Sequence, residues 1–197
     1  MKNHFQHIIL LITGSLFFFS CKSIPAPAKN NNCMLYCQLH TNIFTNISID
    51  EVDINKKSPM ELRFRNIKTN KFIILKKGWA DEYYATNIPQ GTYIFHSFKT
   101  CSYLKDGSTI PYVLKLNKNK TTNFHFIPVN NSVINLGIIK VDYKYMSSSD
   151  TSWNIYWDEE QETAYEKFKR YHPDSPWLKK EWITRHESLE RNLTLFP

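Results

Sequence analysis

Met60-Glu61-Leu62-Arg63-Phe64-Arg65 decides the fold class, because its apolar and charged residues alternate without a break. A period of two places Met60, Leu62 and Phe64 on one side of an extended chain and the charges on the other, as in a half-buried strand. Lys68-Thr69-Asn70-Lys71 is a polar turn leading into Phe72 to Leu75, so the two runs predict a hairpin. Asn87-Ile88-Pro89-Gln90-Gly91-Thr92-Tyr93 sets Pro and Gly two apart, a tight turn feeding a strand in which Tyr93, Phe95 and Ser97 alternate with Ile94, His96 and Phe98. Further strands are predicted over Tyr112 to Leu116, Thr122 to Pro128, Val133 to Tyr145 and Trp153 to Trp157, separated by Asn, Gly, Ser or Lys clusters. Several short strands at regular spacing predict a mainly β protein, an antiparallel β-sandwich.

After Trp157 the pattern changes. Asp158-Glu159-Glu160-Gln161-Glu162 is an acidic first turn suited to a helix N-terminus, and the helix is predicted to end near Tyr171. His172-Pro173-Asp174-Ser175-Pro176-Trp177 breaks it, with Asp174 or Ser175 as N-cap and Pro176 in the first turn of a second helix. On that second helix Leu178, Trp182, His186, Leu189 and Leu193 share one face. This C-terminal pair, residues 158–197, is expected to cap one side of the sheet. A free partner-binding arm is the alternative.

Composition sets the outer bounds. The chain has 197 residues, 42% hydrophobic and 15% aromatic, enough for one packed domain and incompatible with a disordered or collagen-like chain. A net charge of +7 is spread in dispersed pairs such as Lys56-Lys57, Lys76-Lys77 and Lys179-Lys180. No basic stripe for nucleic acid results, and none is expected as a partner.

The N-terminus carries an address. Lys2 precedes a mostly apolar run from Ile8 to Phe19, which is too short for the roughly 20-residue helix that spans a bilayer. Phe18-Phe19-Ser20-Cys21 resembles the lipobox of bacterial envelope lipoproteins, with Phe18 where that family usually has Leu and a single firm cation in the n-region. The resemblance implies cleavage before Cys21 and a lipid, palmitate-type anchor on its sulfur. Residues 1–20 are thus expected to be a signal peptide, and residues 21–32 the lipidated cysteine with a flexible polar tether. An ordinary secretory signal cut elsewhere is the alternative.

The strands carry a second resemblance. Leu62-x-Phe64-x-Asn66-x-x-Thr69, followed by Ile88-Pro89-x-Gly91-x-Tyr93, resembles prealbumin-like and carboxypeptidase-regulatory-like β-sandwich modules. Asn123-Phe124-His125-Phe126 and Ile134-Asn135-Leu136-Gly137-Ile138-Ile139 are similar to a pattern in small envelope lipoproteins. Phe168 to Trp177 also resembles a recurrent tail of envelope proteins. The resemblance implies an immunoglobulin-like or prealbumin-like sandwich over residues 33–157 and brings no catalytic residues.

Candidate sites follow. Apart from Cys21, the cysteines are Cys33, Cys37 and Cys101, disulfide candidates in an oxidising compartment; spacing leaves open whether Cys33 pairs with Cys37 across a turn or Cys101 ties down the N-terminal segment. Cys33, Cys37, His40 and Cys101 are zinc-ligand residue types, but without paired Cys-x-x-Cys knuckles no metal or other cofactor is expected. With 5 glycines and no Gly-x-Ser-x-Gly or His-Glu-x-x-His motif, no catalytic set is expected. Trp79, Tyr83 and Tyr84, read as a loop, and Tyr156 on a strand edge are the binding candidates, since exposed aromatics stack on sugars or anchor protein partners. The sequence therefore predicts a lipid-anchored outer-membrane or cell-surface protein, with periplasmic residence as the variant. Its expected role is non-catalytic binding of an envelope or host protein or a glycan. The alternatives are a structural envelope component and a periplasmic hydrolase using His96 or His125.

Intact mass of the detergent-extracted native protein tests the anchor. The expected chain begins at Cys21 and carries acyl mass; an unmodified chain overturns that reading. Protease shaving of whole cells then separates surface display from periplasmic residence.

Overall fold

The computed structural model describes residues 24–30, 32–45, 60–115, 124–147, 150–158 and 161–193. Cys21 and the signal segment lie outside the described residues. The protein is mainly β, with 48% of the chain in strands, one curled mixed sheet and two short helices.

Strands β1 (Met34–Thr45), β2 (Glu61–Asn66), β3 (Phe72–Lys77), β4 (Glu82–Thr86), β5 (Tyr93–Tyr103), β6 (Thr109–Lys115), β7 (His125–Phe126), β8 (Ser132–Ser147) and β9 (Asp150–Asp158) come first. Helix α1 (Gln161–Tyr171), a 3₁₀ turn (Pro176–Lys179), β10 (Glu181–Thr184) and α2 (Arg185–Leu193) follow. The sheet order is β10-β8-β1-β4-β3-β2-β5-β6, with β7 paired to β5 and β9 to β8.

The sheet is not purely antiparallel as expected. β1 and β10 both run parallel to β8, starting at Met34↔Val133 and Glu181↔Ser132. Parallel neighbours need long connections, and here they are the whole intervening sheet and the helical segment.

The predicted alternation of β2 holds: Leu62, Phe64 and Asn66 are buried between partly exposed Glu61, Arg63 and Arg65. The β2–β3 hairpin also forms, with Leu62 opposite Leu75. Its turn is closed by Asn66, whose Oδ1 accepts from the backbone N–H of Lys68 and Thr69 at 3.0 and 2.9 Å. Asn70 sits at φ 56°, a conformation asparagine tolerates better than most residues.

Two bulges change which residues face inward. In β5, Arg63 opposes Ser97 and Phe64 opposes Phe95, so His96 is the extra residue. That shift lets Phe95 and Phe98, three apart, both be buried. In β8, Tyr36 opposes Asn135 but Gln38 opposes Ile138, and Gly137 takes φ 72° at the irregularity. Ile134 and Leu136 before it, and Ile139 and Val141 after it, therefore enter the same core.

Two cores result. The larger joins Leu35, Cys37 and Leu39 of β1 with Leu62, Phe64, Leu75, Phe95, Phe98 and Phe126, so the sheet curls until strands far apart in its order touch. The smaller lies on the opposite face of β1, where Met34 and Tyr36 meet Ala164 and Phe168 of α1, Trp177 and Ile24. Tyr36 and Phe168 pack edge to face at 5.4 Å, and Phe168 lies 5.1 Å from Trp182. This second core takes up aromatics that a single core had no room for.

Four expectations are corrected. The segment that holds Cys37 is not a turn but the long strand β1, between β8 and β4. The expected tether is docked where it is described: Ile24 is buried, Pro25 O accepts from Trp177 Nε1 at 2.7 Å, and Asn87 bonds Ala26 O and Ala28 N. The strand expected over Thr122 to Pro128 is only His125–Phe126 among the described residues.

The fourth correction is the second C-terminal helix, which is split in three. Ser175 caps a 3₁₀ turn with Pro176 at its start, and Glu181–Thr184 becomes a strand on the open edge of β8. Only then does α2 begin. Thr184 and Glu187 form its capping box, Thr184 Oγ1 accepting from Glu187 N at 3.1 Å and Glu187 Oε2 from Thr184 N at 2.6 Å.

Trp177 joins the smaller core, the 3₁₀ turn and the docked N-terminal segment. Trp177→Ala is expected to lower unfolding free energy by about 3–5 kcal/mol. Lys179→Ala in the same turn is expected to stay within about 0.5 kcal/mol. Urea unfolding of the full chain measures both.

Candidate functional site

The β3–β4 hairpin carries the expected aromatic candidates, and its turn occupies residues 78–81. Gly78 N donates to Glu82 O at 2.8 Å, and Glu82 N donates to Trp79 O at 2.9 Å. Asp81 O accepts from Leu39 N on β1 at 2.8 Å. Ala80 is held at φ 48°, a left-handed conformation costly for a residue with a Cβ.

The turn's two carboxylates explain how that strain is sustained. Glu82 is fully buried, with Oε1 accepting from Tyr36 OH at 2.7 Å and Oε2 lying 3.0 Å from His172 Nε2. Asp81 lies at the rim, with Lys167 Nζ 2.8 Å and His40 Nε2 3.0 Å from its carboxylate. Lys167 also donates to Gln38 Oε1 at 2.9 Å. Lys167 and His172 belong to α1 and the residue just after it, so one helix is pinned by two polar side-chain contacts across β1 and β4.

The electrostatics follow from this placement. Burial pulls the Asp81 carboxyl upward, but the bonds from Lys167 and His40 outweigh it and leave it below its ordinary value. Tyr36 is raised, first by burial and then by the neighbouring Glu82 charge, so its hydroxyl stays a donor. Tyr83 is pushed up to about 12, mainly by burial.

Of the binding candidates, Trp79 alone is presented to solvent within the hairpin, at 57% exposure. Tyr83 and Tyr84 are not loop residues: they lie in β4, 1% and 7% exposed, Tyr83 in the larger core and Tyr84 in the smaller. They buttress the turn and are closed to a partner. The backbone of Tyr156 lies in β9 opposite Lys140. Its side chain lies outside the described residues.

The disulfide candidates are all free thiols. Cys33 and Cys37 are not joined by a turn, since four residues of extended chain hold their Cα atoms about 13 Å apart. That exceeds the roughly 7 Å limit for a disulfide. Burial pushes the Cys33 thiol up to about 12 and raises Cys37 too, so both are neutral and unreactive near pH 7. Among the described residues no three His, Cys, Asp or Glu side chains are grouped to hold a metal ion.

His96 packs edge-on against Phe72 at 4.8 Å, with Nδ1 3.1 Å from Ser97 Oγ. His125 lies in β7 opposite Ile94. Neither belongs to the Asp81–Glu82 cluster. Glu82 has no exposed surface, and its bonds together with those of Asp81 clamp the turn that bears Trp79 to α1 and the end of that helix. Sequence reading missed this clamp. Its one local trace is a pair of adjacent carboxylates between Trp79 and two tyrosines.

The chain matches no protein-family model, no curated protein and no solved structure.

The clamp predicts acid sensitivity. Because Asp81 is lowered in the folded state, it stabilises the fold above the ordinary value of 3.8, and this is lost as pH falls through the folded value. Wild type and Asp81→Asn should therefore differ most near neutrality and converge in acid, read from denaturation midpoints against pH. His172→Ala, which removes one of the two hydrogen-bond partners of buried Glu82, is expected to cost about 2 kcal/mol.

Proposed function

We propose that this is a lipid-anchored protein of the outer membrane or cell surface, acylated at Cys21, that works as a non-catalytic binding module. Trp79 is the contact residue for an envelope or host protein or a glycan. The observation that carries this reading is an exposed tryptophan on a turn that the fold holds rigid. A strained Ala80, two backbone bonds across the turn, buried Glu82 and the rim carboxylate of Asp81 all fix residues 78–82. Such outlay for a turn whose only large side chain faces water fits a preorganised contact, since an anchor ordered in advance loses little entropy on binding.

In fold terms we read the curled sheet as a β-sandwich of the immunoglobulin-like or prealbumin-like kind. The support is the single larger core drawn from both halves of the strand order. The N-terminal address supports the envelope setting. No described helix is long and apolar enough to cross a membrane, and under this reading the acyl chains supply the attachment.

A photo-crosslinking residue at position 79 of the full chain, expressed in its native membrane, tests the contact. A discrete adduct is expected there and none from position 105. Adduct-free membranes, or equal labelling at both positions, overturn the assignment. Trp79→Ala should weaken capture of the crosslinked partner by about 2 kcal/mol, roughly thirtyfold, as for a central aromatic anchor. Its stability should change by no more than about 0.5 kcal/mol.

A further inference from the structure

Anchoring at Cys21, the reading on which this inference rests, limits how the folded part sits on a bilayer. Ile24 is already buried in the smaller core. Only Lys22 and Ser23 separate it from Cys21, three Cα–Cα steps that span at most about 11 Å. The part of the fold that holds residues 24–30 must therefore lie close to the lipid.

Backbone pairing shows which part that is. Asn87 Oδ1 accepts from Ala28 N at 2.8 Å, and Asn87 begins the loop whose Thr92 O accepts from Ile67 N at 3.0 Å. β4 ends opposite the start of β1, which lies beside the start of β8, and β10 begins opposite Ser132. Asn131 N donates to Asn32 Oδ1 at 2.6 Å. One rim of the sheet therefore gathers residues 24–30, 66–72, 86–93, 127–132 and 179–180.

The chemistry of this rim is one-sided. It carries Lys29, Lys68, Lys71, Lys179 and Lys180, and its segments contain no Asp or Glu. The bordering acids are Asp174 and Glu181, and Glu181 is held by both terminal nitrogens of Arg191. Beside the lysines two large apolar side chains stand in solvent, Ile67 at 53% and Phe72 at 48% exposure. Lysines around exposed apolar residues fit the interfacial zone of a bilayer, where the cations meet anionic headgroups and the apolar groups reach the acyl boundary.

We infer that this rim is a bilayer-contact surface, binding anionic phospholipid headgroups through its lysines and inserting Ile67 and Phe72. The orientation also serves the proposed contact. β3 leaves the rim at Phe72 and reaches the Trp79 turn about seven residues on, some ~20 Å of extended chain away. Trp79 would then point away from the membrane while the acyl chains hold the opposite rim down.

The test uses the protein extracted intact and reconstituted in vesicles containing phosphatidylglycerol, in a Cys101→Ser background that leaves only buried thiols in the folded part. A spin label is placed by Ile67→Cys on the rim or by Asp106→Cys in the β5–β6 turn at the other end. Position 67 is expected to be relaxed more by lipid-phase oxygen than by a water-soluble nickel chelate, and position 106 the reverse. Lys68→Glu with Lys71→Glu should return position 67 to the pattern of position 106.

Acylated protein in which both positions are equally open to water overturns the contact surface and leaves the anchor standing. Position 67 shielded only when other envelope proteins are added assigns the rim to a protein and also overturns it. Protein that lacks acyl mass and stays off the vesicles overturns the anchor and the surface together.

Discussion

Burial of the first half of β1, Met34 to Leu39, on both faces is the constraint from which the rest of the fold follows. All six side chains from Met34 to Leu39 are out of water: Leu35, Cys37 and Leu39 enter the larger core, Met34 and Tyr36 the smaller, and Gln38 accepts from Lys167. A strand in that position needs a layer on each side. The curl of the sheet supplies one, and α1 with the 3₁₀ turn and the docked Ile24 supplies the other. Apolar burial of this kind is worth roughly 25 cal/mol per Å², so losing either layer would expose a face that has no other cover. The C-terminal segment is for this reason part of the folding unit: Phe168 and Trp177 complete the smaller core, and Ile183 reaches the larger.

Curling a sheet around one core demands that inward residues stay inward as the strands twist, and the two bulges meet that demand. Without the extra residue His96, Phe98 would point outward once Phe95 points in. Without the irregularity at Gly137, Ile139 and Val141 would be turned away from the core that holds Ile134 and Leu136. Glycine suits the second bulge because φ 72° is open to it without steric cost. The Leu-Gly-x-Ile pattern thus has a geometric cause within this chain.

How much of this was readable in advance depended on whether a strand had one wet face. β2 alternates, and its period of two marks both the strand and its buried side; in β5 the same period marks the strand, but the bulge at His96 hides that Phe95 and Phe98 face the same core. The buried half of β1 does not alternate, because a segment buried on both faces sets apolar residues side by side, here Met34 to Cys37 and Leu39 around the buried Gln38. β4 was hidden by Asp81 and Glu82, whose charge signals a loop until their partners are known. Those partners lie 86 and 90 residues away, at Lys167 and His172, and no local pattern announces them. In β10 the helical spacing of Leu178, Trp182 and His186 was coincidental. The open edge of β8 decided otherwise, and the local sign was the capping box Thr184-x-x-Glu187, which starts a helix at Arg185 and not at Pro176. Of the binding candidates, the exposure of Trp79 was legible and the burial of Tyr83 and Tyr84 was not, since the latter depends on strand membership.

The polar clamp raises a question of economy, for a buried carboxylate is costly to desolvate and an apolar pair often packs as well. What charged contacts add is direction. Apolar packing alone lets α1 slide or rotate over the face of β1 with modest loss, because Ala164 and Phe168 meet a broad aromatic surface. Glu82 admits only an arrangement that brings both Tyr36 OH and His172 Nε2 to its two oxygens, and Asp81 with Gln38 fixes Lys167 in the same way. The helix is thereby held in one register on the sheet, and the turn bearing Trp79 is held with it. The cost of burying Glu82 is thus coupled to the geometry of Trp79, the aromatic that the turn presents to water.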